Sequence, residues 1–298
     1  MNDSNFYDRI SIDINSLFDS NIDSKKTKYP SYILRVFKRY LTAVLIKIGL
    51  YYPLIEAGFI ISWFEDFKSY WYNVLNGRPL YLHDFYYLLG VYRQRFQTLV
   101  VPDQANKDTF LESWQNPIAM YQLFGYVRRC SREPLHCRQF EKWIKNGYNI
   151  LEYGCGIAPI SHSLLQLGIK RNLNITIADI RQINFHYAIY RLAGNVKHFE
   201  ITPYKNSIPS KIYDIIFMIT VFEHLPDPLD TLKNITAGLK SGGIFIFDYI
   251  LGDGDGLDTI EGVIQREEVL QYLKKHYELL SGELLKKKSM GTTVCRLK

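Results

Sequence analysis

An acid and two glycines lie close together in the chain, in a spacing that suits a ligand-binding turn. Glu152 stands in a short apolar run that predicts a buried strand, and Gly154 and Gly156 follow it before Pro159. Glycine lets the backbone turn sharply and lets a ligand approach where a side chain would clash. Proline suits a first helical turn, because its missing N–H would have no partner there. We therefore predict a strand, a tight turn and a helix whose free N–H groups face a ligand.

The acid distinguishes between two kinds of nucleotide ligand. A dinucleotide site has the pattern G-x-G-x-x-G and holds a pyrophosphate at the helix N-terminus. In this chain Pro159 stands where the third glycine would be, and Glu152 would repel a pyrophosphate but attract a cation. The turn therefore favours a positively charged ligand.

Further segments follow in an order that extends this site. Asp179 ends a second predicted strand, 25 residues after the first glycine, and an acid there can accept hydrogen bonds from both ribose hydroxyls of a nucleoside. Residues 213–220 are nearly all apolar, as a parallel strand buried on both faces requires, and E-H-L-P-D-P follows at residues 223–228. A predicted helix end and turn, L-K-S-G-G at residues 239–243, then precede a strand over residues 244–249.

Over about residues 120–298 this series resembles the class I S-adenosylmethionine (SAM) methyltransferases. Residues 152–156 are similar to motif I of that family, and residues 213–228 to its motif IV, in a form most similar to small-molecule methyltransferases of the ubiquinone-biosynthesis type. The resemblance implies an α/β fold, a Rossmann-like seven-stranded sheet with helices on both faces, and SAM as cofactor. It also implies that the closing strands, over residues 277–284 and 291–297, form an antiparallel hairpin.

The resemblance implies which residues contact the cofactor. Glu152 would hold the ammonium side of SAM, directly, through water or through the backbone, and Asp179 would bind the ribose. Tyr121 or Arg128, in a segment before the first strand, would meet the methionine carboxylate, and the alternative of a solvated arginine pair at a helix end stays open. The family often has an Asp beside the adenine, and this chain departs from it with Thr202. The predicted cofactor-binding set is Tyr121, Glu152, Gly154, Cys155, Gly156, Asp179, Ile180, Thr202 and Thr220.

His224 is the first candidate for a catalytic base. It follows the third apolar strand, at the carboxyl edge where open parallel sheets bind their ligands, and histidine suits proton transfer near neutral pH. The alternative is a histidine that shapes the loop through a backbone hydrogen bond. Asp248 and Tyr249, at the matching edge of the next strand, are the second candidates. The four cysteines form no C-x-x-C pair, and no metal site is predicted.

Charge and aromatic residues divide the chain into two parts. The formal charge is +6, and residues 1–147 carry 19 Lys/Arg against 14 Asp/Glu together with all four tryptophans. We predict a mostly helical, aromatic-rich region over residues 1–105 and the methyltransferase domain over residues 106–298. The aromatic stripe at residues 57–100 forms either a core or a cap over the substrate.

Residues 31–50 predict an amphipathic helix with basic residues on one face and apolar residues on the other. We favour a helix whose apolar face meets the core and whose basic face is solvated, with peripheral contact to a membrane surface as the alternative. No uncharged run near it reaches the roughly 20 residues of a membrane span. The start of the chain has no signal-peptide pattern, so a cytoplasmic location is expected, and the oligomeric state is not readable.

Three classes of function are compatible with these features. The first is methylation of an O or N atom of a small molecule, such as a glycan, lipid-linked or secondary-metabolite precursor. The second is methylation of RNA or protein, but the basic excess is small and no N-P-P-Y motif follows Ile219, so no nucleic-acid partner is predicted. The third is a non-catalytic SAM-binding partner protein.

Overall fold

Within the described residues, seven strands form one mixed sheet in the order β3-β2-β1-β4-β5-β7-β6. This computed structural model describes residues 13–19, 29–60, 62–99, 114, 120–132, 138–170, 172–205, 208–251 and 259–298. Strands β1 to β5 are parallel, and β7 is antiparallel to both β5 and β6. The predicted fold class is confirmed. The strands are β1 (Asn149–Tyr153), β2 (Asn174–Asp179), β3 (Lys197–Glu200), β4 (Tyr213–Met218), β5 (Leu239–Tyr249), β6 (Tyr277–Ser281) and β7 (Met290–Leu297).

Helices precede the sheet in the chain and then alternate with its strands. The first group is α1 (Ile14–Asp19), α2 (Tyr32–Lys47), α3 (Tyr51–Glu56), α4 (Ser62–Asn73), α5 (Leu82–Leu99) and α6 (Met120–Arg132). A 3-10 helix, Arg138–Trp143, leads into β1. The second group is α7 (Pro159–Leu167), α8 (Ile183–Leu192), α9 (Pro228–Gly238), α10 (Ile260–Ile264) and α11 (Arg266–His276).

Helices cover both faces of the sheet. Successive strand residues point to opposite faces, so neighbouring residues of one strand belong to different cores. Ile150 and Ile215 share an apolar core with residues of α7 and α8, whereas Leu151 and Ile216 share one with residues of α9 and α11. The near-continuous apolar runs of β1 and β4 are explained by this double burial.

Strand β5 begins earlier than predicted. Residues 239–243 were expected as a helix end and turn, but Leu239 already pairs with Tyr213 of β4. The pairing shifts register before Ile215, and Gly242 has a positive φ of 72°. The Gly-Gly pair therefore forms an irregularity within the strand, which a turn prediction based on Gly-Gly cannot distinguish from a true turn.

The N-terminal helices pack on the helices of the sheet through aromatic rings. Phe67 of α4 is fully buried and its ring lies 5.2 Å from Phe85, 4.9 Å from Phe124 and 6.2 Å from Tyr187, centroid to centroid. Residues of α4, α5, α6 and α8 thus share one apolar core. The boundary predicted between residues 105 and 106 lies outside the described residues and stays a prediction.

Helix α2 has the opposite orientation to the one we predicted. The Arg35 guanidinium donates to the Leu165 carbonyl oxygen over 2.6 Å, and Arg39 pairs with Glu141, so the arginines face the methyltransferase domain. Ile33 is 76% exposed and Phe37 is 64% exposed. Periodicity reveals two faces but not which one meets a neighbour, and here the last turn of α7 presents a carbonyl without an intrahelical partner. The prediction of a core-facing apolar face is therefore wrong.

None of the helices in the described part of the chain combines the length and hydropathy needed to cross a bilayer.

The shared aromatic core predicts that the N-terminal helices contribute directly to the stability of the whole chain. Phe67→Ala should lower the free energy of unfolding by roughly 3–5 kcal/mol, because it removes a fully buried ring. Tyr72→Ala, on the same helix but 58% exposed, should change it by less than about 0.5 kcal/mol. Guanidinium denaturation measures both, and an unchanged midpoint for Phe67→Ala would contradict the shared core.

Candidate functional site

A cavity of about 230 Å³ lies at the carboxyl edge of the parallel strands. The turns after β1, β2, β3 and β4 all contribute to it, as expected for an open α/β sheet. The predicted residues that line it are Glu152, Gly154, Cys155, Gly156, Asp179, Ile180, Thr202, Thr220 and His224. The sheet thus brings nine residues from separate parts of the sequence to one place.

The two glycines of the first turn have different tasks. Gly154 has φ of 63°, and a Cβ there would lie 2.5 Å from Val221, so the turn packs directly on the loop after β4. Gly156 has φ of 52°, and a Cβ there would meet no protein atom within 4 Å. Gly154 therefore allows close packing of two loops, whereas Gly156 leaves its backbone open to a ligand.

Glu152 holds the start of helix α7. Its carboxylate oxygens accept hydrogen bonds from the backbone N–H groups of Ile160, over 3.2 Å, and Ser161, over 2.7 Å. These N–H groups lie in the first helical turn and have no intrahelical partner. Burial raises the pKa of Glu152 to about 7, against the lowering effect of these hydrogen bonds. Because both carboxylate oxygens of Glu152 already accept backbone hydrogen bonds, we expect Glu152 to influence the cofactor ammonium through its charge and by fixing the shape of the turn.

Asp179 joins the first two strand ends. One carboxylate oxygen accepts from the Gly156 N–H over 2.6 Å, and the other accepts from the Ile180 N–H over 2.7 Å and from the Gln182 side-chain amide over 2.8 Å. Burial raises its pKa to about 6. A carboxylate has about four acceptor positions, so binding both ribose hydroxyls would require it to release one of these donors.

Sequence reasoning missed Gln182, which lines the cavity and is the donor to Asp179 that can move. It stands at the N-cap of α8, where its side chain makes no capping hydrogen bond. A polar residue three positions after the strand-ending acid was the available signal.

The candidate base, His224, lines the cavity from the loop after β4. His224 ends a short 3-10 helix, Phe222–His224, and its side chain is 18% exposed. Its ring packs edge-on against Trp114 at 5.4 Å between centroids, and its Nε2 lies 4.0 Å from a Glu223 carboxylate oxygen. Its backbone N–H donates to the Val221 carbonyl, a bond that any residue type could make, so the loop-shaping alternative for the histidine side chain stays a prediction. Trp114, which lines the same cavity, was not singled out from the sequence.

Asp248 and Tyr249 lie outside the set of described residues that line the cavity. Asp248 accepts a hydrogen bond from the Thr220 N–H over 2.5 Å and so supports the positive φ of 57° at Thr220. Tyr249 is fully buried, stacks on Phe222 at 4.7 Å and donates its hydroxyl hydrogen bond to Gly262. Both stand at the expected edge of the sheet, but they support the loops around the cavity.

The outer wall of the cavity comes from the segment before β1. Tyr126 and Arg129 of α6 line it together with Phe140, and the Arg129 guanidinium lies 5.5 Å from the centre of the Tyr126 ring. Tyr121 belongs to the same helix, but its side chain lies outside the described residues, so its predicted role stays a prediction. Among the described residues 13–99 none lines the cavity, so these helices give the predicted substrate cap no support.

The acidic side chains of the cavity suit SAM, a nucleoside that carries positive charge. The cavity wall contains the carboxylates of Glu152 and Asp179, which match an ammonium or sulfonium and hydroxyl donors. The open backbone at Gly156 leaves room for the ligand where a side chain would fill the space. The residues present therefore fit the cofactor that the sequence predicted.

Comparison with known proteins agrees with this site. Residues 123–287, more than half of the chain, match the family model described as a methyltransferase domain. The chain belongs to this methyltransferase family, and its seven-stranded sheet is that of the class I SAM-dependent methyltransferase fold.

Individual relatives match only part of the chain. A tRNA U34 carboxymethyltransferase of Nautilia profundicola is 26% identical over 125 residues, which is 40% of this chain and 42% of that protein. A ubiquinone biosynthesis O-methyltransferase of Rickettsia bellii is 27% identical over 164 residues, 51% of this chain and 64% of that protein. The chain thus spans less than two thirds of either relative.

A solved structure of a SAM-dependent methyltransferase from Aquifex aeolicus is also similar to the chain. It has 17% sequence identity and a TM-score of 0.44, and the match covers 63% of this chain and 97% of that one.

The role of Asp179 predicts the effect of removing its charge. Asp179→Asn should weaken binding of SAM and of its demethylated product, S-adenosylhomocysteine, by roughly 1.5–3 kcal/mol, the scale of hydrogen bonds to a charged group. Asp230→Asn, on the exposed side of α9, is the matched control and should bind normally. Calorimetry measures both, and an Asp179→Asn affinity within twofold of the parent would contradict the assigned role.

The raised pKa values predict how SAM affinity depends on pH. Since the pKa values are about 6 for Asp179 and about 7 for Glu152, both acids are largely protonated in the free protein at low pH. A cationic ligand favours the ionised acids, so affinity should rise from about pH 5 to about pH 8 and binding should release protons. Calorimetry in buffers of different ionisation enthalpy tests this, and a constant affinity without proton release would contradict it.

Proposed function

We propose that this methyltransferase transfers the methyl group of SAM to an O or N atom of a small molecule. The observation that carries the proposal is the contact between His224 and Trp114 in the wall of the cavity, 5.4 Å between ring centroids. An imidazole beside a buried indole offers a proton acceptor next to a flat apolar surface, which suits a small aromatic or apolar acceptor.

SAM supplies a methyl group on a sulfonium that is already a good leaving group. The protein must therefore align the acceptor, exclude water and remove a proton where the acceptor is a hydroxyl. Thr220 and Val221, whose loop is held by Asp248 and by Gly154, position the 3-10 helix that carries His224. In this proposal His224 takes the acceptor proton at an imidazole nitrogen.

The wall formed by Trp114 and Tyr126 supports a small acceptor. Trp114 is buried, and Tyr126 lies under the Arg129 guanidinium, so this side of the cavity is enclosed by rings. The similarity to a ubiquinone biosynthesis O-methyltransferase over 51% of the chain favours oxygen as the methyl acceptor.

Methylation of RNA is the second candidate, because several relatives are tRNA U34 carboxymethyltransferases. Lys205 and Arg129 line the cavity, but Asp227, which has no assigned role toward the cofactor, lines it as well. RNA recognition generally relies on a basic surface that contacts phosphates. The mixed charge of this wall therefore favours the small acceptor.

One experiment separates the two candidates. Protein incubated with SAM labelled in its methyl group should label members of a small-molecule extract and leave purified total RNA unlabelled. If label stays in the RNA after phenol extraction and is lost on ribonuclease treatment, the small-molecule proposal is wrong and RNA methylation is supported. Protein pretreated with excess S-adenosylhomocysteine is the control, because it should lose either activity.

Histidine removal tests the proposed base. If the acceptor is a hydroxyl, His224→Ala should lower kcat by about 10²–10⁴-fold while SAM affinity stays nearly constant, since general base catalysis has that magnitude. His83→Ala is the matched control, because the His83 side chain is 82% exposed and is not among the residues that line the cavity. Steady-state kinetics with the identified acceptor measure both. A His224→Ala enzyme within threefold of the parent would leave the histidine only its loop-shaping role.

A further inference from the structure

Helix α2 presents a continuous apolar face to solvent. Because Arg35 and Arg39 are held by the methyltransferase domain and Thr42 is buried, the opposite side of the helix points outward. Monomeric proteins rarely expose contiguous apolar patches larger than a few hundred Å², and larger ones mark interaction sites. The exposed apolar residues of this face are Ile33, Leu34, Phe37, Tyr40, Leu41, Val44 and Ile48.

Two lysines border this face, one on each side. At about 100° per residue, the exposed apolar residues occupy an arc of roughly 120°, and Lys38 and Lys47 lie just beyond its opposite edges. Both lysines are exposed as whole residues, while burial of the Lys38 ammonium lowers its pKa and Asp66 interacts with it. This is the arrangement of a helix lying in a membrane interface, where the apolar arc enters the acyl boundary and lysines extend to the headgroups.

Further exposed apolar residues follow the helix in the chain. After the turn at Gly49, Leu50, Tyr52 and Phe59 are exposed, whereas Tyr51 of the short helix α3 is buried. Tyrosine and phenylalanine at such positions suit an interface that is apolar on one side and wet on the other. The surface formed by α2 and α3 is called the apolar ridge below.

Charge identifies the occupant of the ridge. Residues 29–60 contain four Lys/Arg and one acid, Glu56, so the segment has a net positive charge. A second copy of the chain, docked by the same ridge, would bring the Lys38 and Lys47 rims of both copies together, and like charges repel. An anionic lipid surface complements both the apolar arc and its basic rims.

We propose that the apolar ridge docks the protein on the surface of an anionic lipid bilayer, with α2 lying in the plane of the interface. Arg35 and Arg39 are then part of the joint between this helix and the domain, since they contact Leu165 of α7 and Glu141 before β1. The proposal does not depend on the identity of the methyl acceptor.

Vesicle flotation with the full chain tests the docking. The protein should float with vesicles containing phosphatidylglycerol, more weakly with phosphatidylcholine alone, and less as salt is raised. Phe37→Ser/Val44→Ser should weaken partitioning at least about tenfold, since each buried apolar side chain contributes substantially. Lys38→Gln/Lys47→Gln should weaken it roughly tenfold on anionic vesicles and little on neutral ones.

The matched control removes apolar residues that are equally exposed elsewhere. Val263 and Ile264 of α10 are 59% and 70% exposed, and the variant Val263→Ser/Ile264→Ser should partition like the parent. All variants change exposed residues, and equal thermal midpoints verify that they fold. In the parent protein, hydrogen exchange in residues 32–60 should slow when anionic vesicles are added.

Several results would overturn the proposal. One is a parent protein that stays with the soluble fraction at low salt. Another is an equal loss of partitioning in the α10 control and the ridge variant. A third is a dimer in light scattering that Phe37→Ser/Val44→Ser dissociates while neither protein binds vesicles, which would assign the ridge to a second copy.

Discussion

The turn between β1 and α7 depends on two buried carboxylates that bond to backbone N–H groups on either side of it. Glu152 holds the first turn of α7 through Ile160 and Ser161, and Asp179 holds Gly156 from the neighbouring strand. Burying an acid is unfavourable unless donors surround it, and the raised pKa values of both acids reflect that cost. The donors are the N–H groups of the binding turn itself, so the acids shape the site and also make it electronegative.

The loop after β4 is also held by neighbouring parts of the site. Asp248 accepts a hydrogen bond from the Thr220 N–H, and the absence of a side chain at Gly154 leaves space for Val221. The 3-10 helix that follows places His224 beside Trp114 in the cavity wall. The outer wall is provided by α6, which also belongs to the aromatic core of the N-terminal helices. The N-terminal region therefore supports the wall of the site from behind, through packing, and its outward surface on α2 is left for another contact.

The sequence was most informative where backbone chemistry restricts the choice of residue. The acid and glycines at residues 152–156, the strand-ending Asp179 and the apolar strands predicted the sheet and the place of the cavity, because few other arrangements use those residues in that order. The roles of Asp248 and the orientation of α2 could not be predicted. Register places Asp248 at the correct edge, but only the neighbouring loop decides whether it faces a ligand or an N–H group, and periodicity alone does not tell which helix face meets the domain.

The central claim is that SAM binds over the turn held by Glu152 and Asp179. A crystal structure of the protein with S-adenosylhomocysteine tests it most directly. The account predicts ligand density against Gly156, a ribose hydroxyl within hydrogen-bond distance of Asp179, and displacement of the Gln182 amide from that carboxylate. Density for the ligand elsewhere on the protein, or a complex in which Asp179 keeps all three of its present donors and makes no contact with the ribose, would contradict it.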